Sequence, residues 1–231
     1  MHFDGKRQFN RDGFVIIEHL FSTDDLQKFR AALAELPQDR ANVRNVLAVC
    51  PRLGDLLRSD GVFALAEEIL GTEPVLTRAI LFDKRPGANW AVGWHQDVTI
   101  AVACKLDVPG FSAWSVKEGV AHVQPPTHIL ERLLTIRFHL DDCLDDNGPL
   151  QVLPGSHGHG RLSDEEIIKW SQRESVTCTM AGGSALVMRP LLLHRSSAAQ
   201  IPSHRRVLHL EFAGEKLPGG LEWNVSLDTA R

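Results

Sequence analysis

Residues 147–157 read Asn-Gly-Pro-Leu-Gln-Val-Leu-Pro-Gly-Ser-His, a short and mostly apolar run, Leu150–Leu153, closed at each end by turn chemistry. Asn-Gly-Pro and Pro-Gly-Ser both supply residues that reverse a chain, so the run between them reads as one short strand. Runs of the same kind recur from Pro74 onward: Val75–Phe82, Ala91–Ala103, Leu133–Leu140, Val176–Met180, Ala185–Met188 and Val207–Phe212. Gly182-Gly183 marks a further turn, and Asp164 to Trp170 reads as a helical insertion. About seven or eight short strands with one helix between them predict a jelly-roll or double-stranded β-helix, a cupin-like barrel.

Upstream the texture is helical. Ser22 or Thr23 can cap a helix running to about Leu36, with Leu26, Phe29, Leu33 and Leu36 at helical spacing and Pro37 as its stop. A second amphipathic stretch, Val62 to Leu70, ends at Gly71. Gly13 to Ile17 is a strand candidate among these helices. The fold class is therefore mainly β with N-terminal helices (α+β). The expectation is a single domain over 1–231, with 1–73 a mostly helical support and 74–214 the barrel. Residues 107–128, with Pro, Gly and a Trp, form an expected lid insertion.

Hydrophobic residues make up 43% of the 231 and charged residues 23%, ordinary values for a globular chain. A net charge of −4 provides no field for a nucleic-acid backbone. Cys50, Cys104, Cys143 and Cys178 lie far apart without a C-x-x-C pair, so neither a zinc site nor a redox dithiol is expected. The first residues are too polar for a signal peptide, and no apolar run is long enough to span a bilayer. The expected location is cytoplasmic, with a small molecule as partner and neither nucleic acid nor membrane.

The chemistry centres on Gly93-Trp94-His95-Gln96-Asp97. If this is a strand, His95 and Asp97 share a face and Gln96 points away, so an imidazole and a carboxylate can take neighbouring positions on one metal. His194, at the end of the late apolar run Leu191–Leu193, can supply a second imidazole. Two histidines and one carboxylate leave open positions on an octahedron, the facial arrangement of non-haem Fe(II) oxygenases. Arg205, eleven residues further on at the head of Val207–Phe212, can offer its planar fork to a carboxylate. Ser196 can add a hydroxyl. His157-Gly158-His159 follows a turn and lacks a carboxylate partner, and reads as a solvated loop.

The combination His95-Gln96-Asp97, then Asn147 to His157, then His194 with Ser196 and Arg205, resembles the phytanoyl-CoA dioxygenase family, over most of the chain from Gly13 to about Gly214. The resemblance implies a double-stranded β-helix, Fe(II), 2-oxoglutarate and O2, and hydroxylation of an unactivated C–H bond with release of succinate and CO2. It assigns iron to His95, Asp97 and His194, and 2-oxoglutarate to Arg205 and Ser196. In one place the chain departs from the family: other members carry a tryptophan beside the cosubstrate where this sequence has Arg137. Thr135, Arg137 and His139 alternate with Ile136, Phe138 and Leu140, so Arg137 is expected inside the barrel and the substrate is expected to be small and anionic. Arg137, Thr135 and Trp114 are the candidate substrate contacts; the opposing reading puts Arg137 on the rim, paired with Asp141. A cupin-like enzyme without 2-oxoglutarate and a non-catalytic binding barrel are the competing readings of the whole.

Overall fold

A computed structural model describes residues 5–36, 40–59 and 61–224. Thirteen strands are present among them: β1 (Phe14–Ile17), β2 (Asn42–Arg44), β3 (Val75–Lys84), β4 (Val92–His95), β5 (Ile100–Val102), β6 (Ser112–Lys117), β7 (Val120–Gln124), β8 (Leu134–His139), β9 (Leu150–Val152), β10 (Val176–Cys178), β11 (Ala185–Met188), β12 (His194–Ser196) and β13 (Arg205–Ala213). The α-helices are α1 (Lys6–Asp12), α2 (Thr23–Ala34), α3 (Val46–Val49), α4 (Pro51–Ser59), α5 (Val62–Leu70), α6 (Thr127–Leu130) and α7 (Asp164–Trp170). None is long and apolar enough to cross a membrane.

A six-stranded sheet in the order β1-β11-β8-β13-β3-β2 and a four-stranded sheet β10-β9-β12-β4 make the double-stranded β-helix, every pairing antiparallel. Phe14, Leu186 and Met188 of the first sheet pack with Leu150, Val152 and Cys178 of the second in one apolar cluster. The other face of the six-stranded sheet carries the helices. Leu26, Phe29 and Leu33 of α2, with Leu53, Leu57 and Leu65, close over Ile136, Phe138, Leu208, Leu210 and Phe212. Phe21, Phe29 and Phe138 stack there, with ring centroids 3.9 Å apart for Phe21–Phe138 and 5.0 Å for Phe29–Phe138. Each such burial contributes about 1.5–3 kcal/mol.

That outer packing decides what faces inward. A strand that gives its even residues to the helices must turn its odd residues into the barrel. Arg137 and His139 on β8 and Arg205, His209 and Glu211 on β13 are accordingly buried polar residues on the inner side, and β3 contributes Arg78, Ile80, Phe82 and Lys84.

The helices begin and end for local reasons. Ser22 Oγ accepts from Asp25 N–H at the start of α2, Gly71 closes α5 with φ 74°, and α7 opens on a reciprocal capping box between Ser163 and Glu166. The expected stop of α2 at Pro37 lies outside the described residues. Two expectations are corrected. The first seventy residues contribute β2 as well as β1 to the large sheet. The expected run Ala91–Ala103 is two strands, β4 and β5, with Asp97 in the gap between them. Residues 107–128, the expected lid insertion, contain β6 and β7, which join β5 in a separate three-stranded sheet. That sheet sits on a cluster of its own, including Ile100, Val108, Phe111, Val123 and Leu133.

Candidate active site

His95 ends β4 and His194 opens β12, and the two are register partners across the small sheet. Their ring centroids are 4.1 Å apart. Asp97 follows two residues later, past the strand end, where its N–H donates to Pro190 O at 2.9 Å. This turns the carboxylate back toward the histidines, and its Oδ2 lies 3.7 Å from His194 Nε2. Strand alternation was thus the wrong reason for the right placement of Asp97. One ligand atom from each of His95, Asp97 and His194 lies within 4.8 Å of the other two.

Each imidazole is fixed in orientation and tautomer. His95 Nδ1 lies 2.8 Å from Gly93 O and His194 Nδ1 lies 2.7 Å from Leu192 O. A carbonyl only accepts, so both Nδ1 atoms carry the proton and both Nε2 lone pairs are free for a metal. Burial pushes His194 down to about 4, which keeps it neutral in ordinary buffers. For Asp97 burial alone would raise the pKa, but His194, His209, Arg78 and His95 together hold the carboxyl below its usual range. Asp97 Oδ2 is buried without a hydrogen-bond partner. Two oriented lone pairs and one orphaned anionic oxygen facing each other fit a divalent metal and fit little else.

Gln96, between the two ligands, faces away as expected and acts as a pin. Its Nε2 donates to Gly160 O at 2.9 Å and Leu191 O at 2.7 Å, and its Oε1 accepts from Leu162 N–H at 2.8 Å. Trp94 also faces outward, under the Arg195 guanidinium at 4.7 Å. The Pro154-Gly155-Ser156 turn acts on the other ligand strand: buried Ser156 Oγ donates to Leu153 O at 2.7 Å and accepts from Leu193 N–H at 2.8 Å. The residue before His194 is thereby fastened to the turn. His157 and His159 belong to no metal-sized cluster among the described residues, and His159 lies edge-on to Trp170.

A cavity of about 330 Å³ opens beside the triad. At one end Arg205, 4% exposed, donates to Gly148 O, and its Nε is buried without a partner. Arg206, its neighbour, is instead spent on Asp141, with Nε and Nη2 each 2.8 Å from a carboxylate oxygen. Beside Arg205 stands Lys84, a cation the sequence reading missed. Its Nζ donates to Ser197 O at 2.5 Å and Ser196 Oγ at 3.3 Å, and burial, then Arg205, pushes it down to about 8. Ser196, expected to touch a cosubstrate directly, is engaged by Lys84.

Arg137 faces the cavity and is not on the rim; Asp141 is taken by Arg206 and Arg30. Arg137 Nη1 lies 2.9 Å from His209 Nδ1, and His209 Nε2 lies 2.9 Å from Glu211 Oε1. A guanidinium only donates, so His209 accepts at Nδ1 and donates from Nε2 to Glu211, which is also ion-paired with Arg78. Arg137 Nε has no partner, and burial followed by the nearby Arg205 charge lowers the group to about 10. Thr135 shares this face but is not a lining residue of the cavity, and Trp114 packs over the cluster beneath the three-stranded sheet. What the 107–128 insertion sends to the cavity is Lys117. Lys84, Arg78 and His209 were findable by carrying the period-two reading of β8 across to β3 and β13.

Two sheets closed into a barrel, with two imidazoles and a carboxylate converging at a cavity and a buried arginine beside them, define a non-haem iron oxygenase of the 2-oxoglutarate class. The chain belongs to the phytanoyl-CoA dioxygenase family, whose model, Phytanoyl-CoA dioxygenase (PhyH), matches residues 9–207. Among characterised proteins it is 26% identical to the ectoine dioxygenase of Nocardia farcinica, over 92% of this chain and 78% of that enzyme. It is 25% identical to the L-proline trans-4-hydroxylase of Streptomyces griseoviridis, over 90% of this chain and 85% of that one. EctD from S. alaskensis, solved with 2-oxoglutarate and 5-hydroxyectoine, superposes with a TM-score of 0.69 over 93% of this chain and 76% of its own, at 21% identity.

Proposed function

We propose that this Fe(II)- and 2-oxoglutarate-dependent dioxygenase hydroxylates an unactivated C–H bond of a small anionic molecule. In this reading His95, Asp97 and His194 hold the iron, Arg205 and Lys84 hold the far carboxylate of 2-oxoglutarate, and Arg137 faces the substrate. The observation that carries it is the adjacency, in one cavity, of the converging His95–Asp97–His194 atoms and two buried cations, Arg205 and Lys84, that pair with no carboxylate among the described residues. Iron bound at the triad, with O2 and 2-oxoglutarate, supplies the oxidising chemistry.

The protein's own tasks follow from its geometry. Gln96 and the Pro190 carbonyl fix the His95–Asp97 corner, and Ser156 fixes the His194 strand, so the ligand set is organised before anything binds. Arg205 and Lys84 set the depth and direction of the cosubstrate through charge-assisted hydrogen bonds. The Arg137–His209–Glu211–Arg78 chain holds the Arg137 guanidinium in the wall of the cavity, a cation for a substrate carboxylate or phosphate. An enzyme using the same metal ligands without 2-oxoglutarate would leave Arg205 and Lys84 as paired buried cations with no task, which disfavours that alternative.

The test is succinate formation from 2-oxoglutarate with Fe(II) under air, measured across a panel of small anionic and neutral metabolites. Substrate-stimulated succinate with one hydroxyl gained by the substrate supports the reading. Binding of Fe(II) with no 2-oxoglutarate consumption on any member of the panel counts against it.

A further inference from the structure

Iron and 2-oxoglutarate leave much of the cavity's positive charge unanswered. Arg78 and Lys84 both point inward from β3 but are six positions apart, roughly 20 Å along a strand. A molecule the size of 2-oxoglutarate, held at Lys84 and Arg205, cannot reach the Arg78 end. At that end Arg78 is joined by Arg44 from β2 and Lys117 from the tip of β6. The room for a ligand beside them is the main cavity, since the recess these three also line, with His122, is only about 10 Å³.

The Arg78 charge is answered by Glu211. Arg44 and Lys117 make no ion pair or side-chain hydrogen bond among the described residues, although both are half-buried. Lys117 is pushed down by burial, then by Arg78 and Arg44, so the three cations are close enough to repel. Cations drawn from three separate elements onto one concave wall, two of them without an ion pair, are arranged for an anion and are costly without one.

We propose that Arg44 and Lys117, backed by Arg78, form a second anion subsite, and that the substrate is a small molecule whose carboxylate or phosphate headgroup docks there. Its reacting carbon then lies part-way along the cavity, beside the His95–Asp97–His194 corner, with 2-oxoglutarate at the opposite end. The inference rests on the oxygenase reading above and narrows its substrate to a molecule with an anionic group remote from the oxidised C–H.

The experiment uses the whole protein loaded with Zn(II), which is redox-inert, and saturated with 2-oxoglutarate. Inorganic phosphate and, separately, acetate are then titrated by calorimetry into wild type, Arg44→Met, Lys117→Met and a surface control, Arg161→Met. Binding of at least one anion is expected in wild type and the control, weakened about tenfold or more in Arg44→Met and Lys117→Met. Affinity for 2-oxoglutarate should be unchanged throughout, and Arg44→Lys should restore part of the loss. The preferred anion distinguishes a phosphate from a carboxylate headgroup. No anion binding, binding indifferent to both variants, or binding that only displaces 2-oxoglutarate would overturn the subsite. Failure of 2-oxoglutarate itself to bind would instead overturn the reading beneath it.

Discussion

Arg205 on β13 and Lys84 on β3 are register partners in adjacent antiparallel strands, two buried cations directly opposite each other with no carboxylate bonded to either. Like charges at opposed positions of a sheet destabilise it. Their side chains are held instead by carbonyls of Gly148 and Ser197 and by the Ser196 hydroxyl, which orient the cations without neutralising them. A dicarboxylate entering between them would relieve the repulsion and gain two charge-assisted contacts.

Arg205→Ala should raise the dissociation constant for 2-oxoglutarate about 30-fold or more, since a buried charge-assisted contact is worth roughly 2–5 kcal/mol. Anaerobic titration of the Fe(II) protein, read by visible absorbance or calorimetry, measures it. An unchanged affinity would move the anchor away from Arg205.

Lys84 makes that affinity pH-dependent. With its ligand-free pKa near 8, against 10.5 for an ordinary lysine, the cation that attracts the carboxylate is present below pH 8 and is lost above it. The 2-oxoglutarate affinity of wild type should therefore fall as pH rises from 7 through 9, and Lys84→Met should be weaker but flatter over that range. The sign for stability is opposite. Between pH 8 and 10.5 the unfolded chain binds more protons at this residue than the folded one, so Lys84 adds to ligand-free stability as pH rises.

Metal loading should stabilise the fold, because the ligand set is assembled only in the native state. At a hundredfold excess over the dissociation constant the gain is about 2.7 kcal/mol, or several degrees in Tm for a chain of this size. Mn(II) added to chelator-treated protein should produce this shift in thermal denaturation. His194→Ala and Asp97→Ala should fold yet show almost none of it.

Gly148 has φ 71°, and a Cβ placed on it would collide with the Ser197 carbonyl oxygen, the group that holds Lys84. Its own carbonyl receives Arg205. Gly148→Ala should cost about 1–3 kcal/mol in chemical denaturation through backbone strain. It should also weaken 2-oxoglutarate binding, while leaving metal affinity close to wild type. Loss of metal binding alone would mean that this turn supports the wrong site.

Arg137→Leu should impair coupled turnover of substrate far more than 2-oxoglutarate binding, because its guanidinium lines the cavity and is held there at Nη1 by His209. Comparing substrate KM with 2-oxoglutarate affinity in the same variant separates the two. Equal losses in both would place Arg137 on the cosubstrate.

How much of this was legible in the sequence depended on whether period or topology decided the residue. The inward orientation of Arg137 followed from alternation on β8, since Ile136, Phe138 and Leu140 had to meet the helices. The helix α7 and the Gly71 end of α5 followed from local sequence; the Ser163–Glu166 cap of α7 was not read there. Lys84 did not emerge, because a lysine at the end of an apolar run reads as a solvated strand end until β13 is known to lie alongside it. Asp97 was placed correctly through an alternation that the chain does not use; the Pro190 carbonyl that positions it is far away in sequence. Trp114 drew attention as the one tryptophan in the insertion, yet large aromatics in an insertion also build the insertion's own core, and this one does, as does Phe111. The small strand β2, which brings Arg44 to the cavity, has too little sequence to show any period.

The three-stranded sheet of β5, β7 and β6 has its own pairing and its own apolar floor, and it reaches the cavity through Lys117 at its tip. Among the described residues its strands pair with one another and not with the two sheets that carry His95, His194 and Arg205. The Lys117 corner of the cavity is therefore on a piece of the molecule separable from those sheets, while Arg44, Arg78 and Arg137 are not. A hairpin of different length or charge grafted between β5 and α6 would redirect the enzyme to another substrate while the oxidising machinery stayed as it is, which makes this hairpin the natural place to begin re-engineering it.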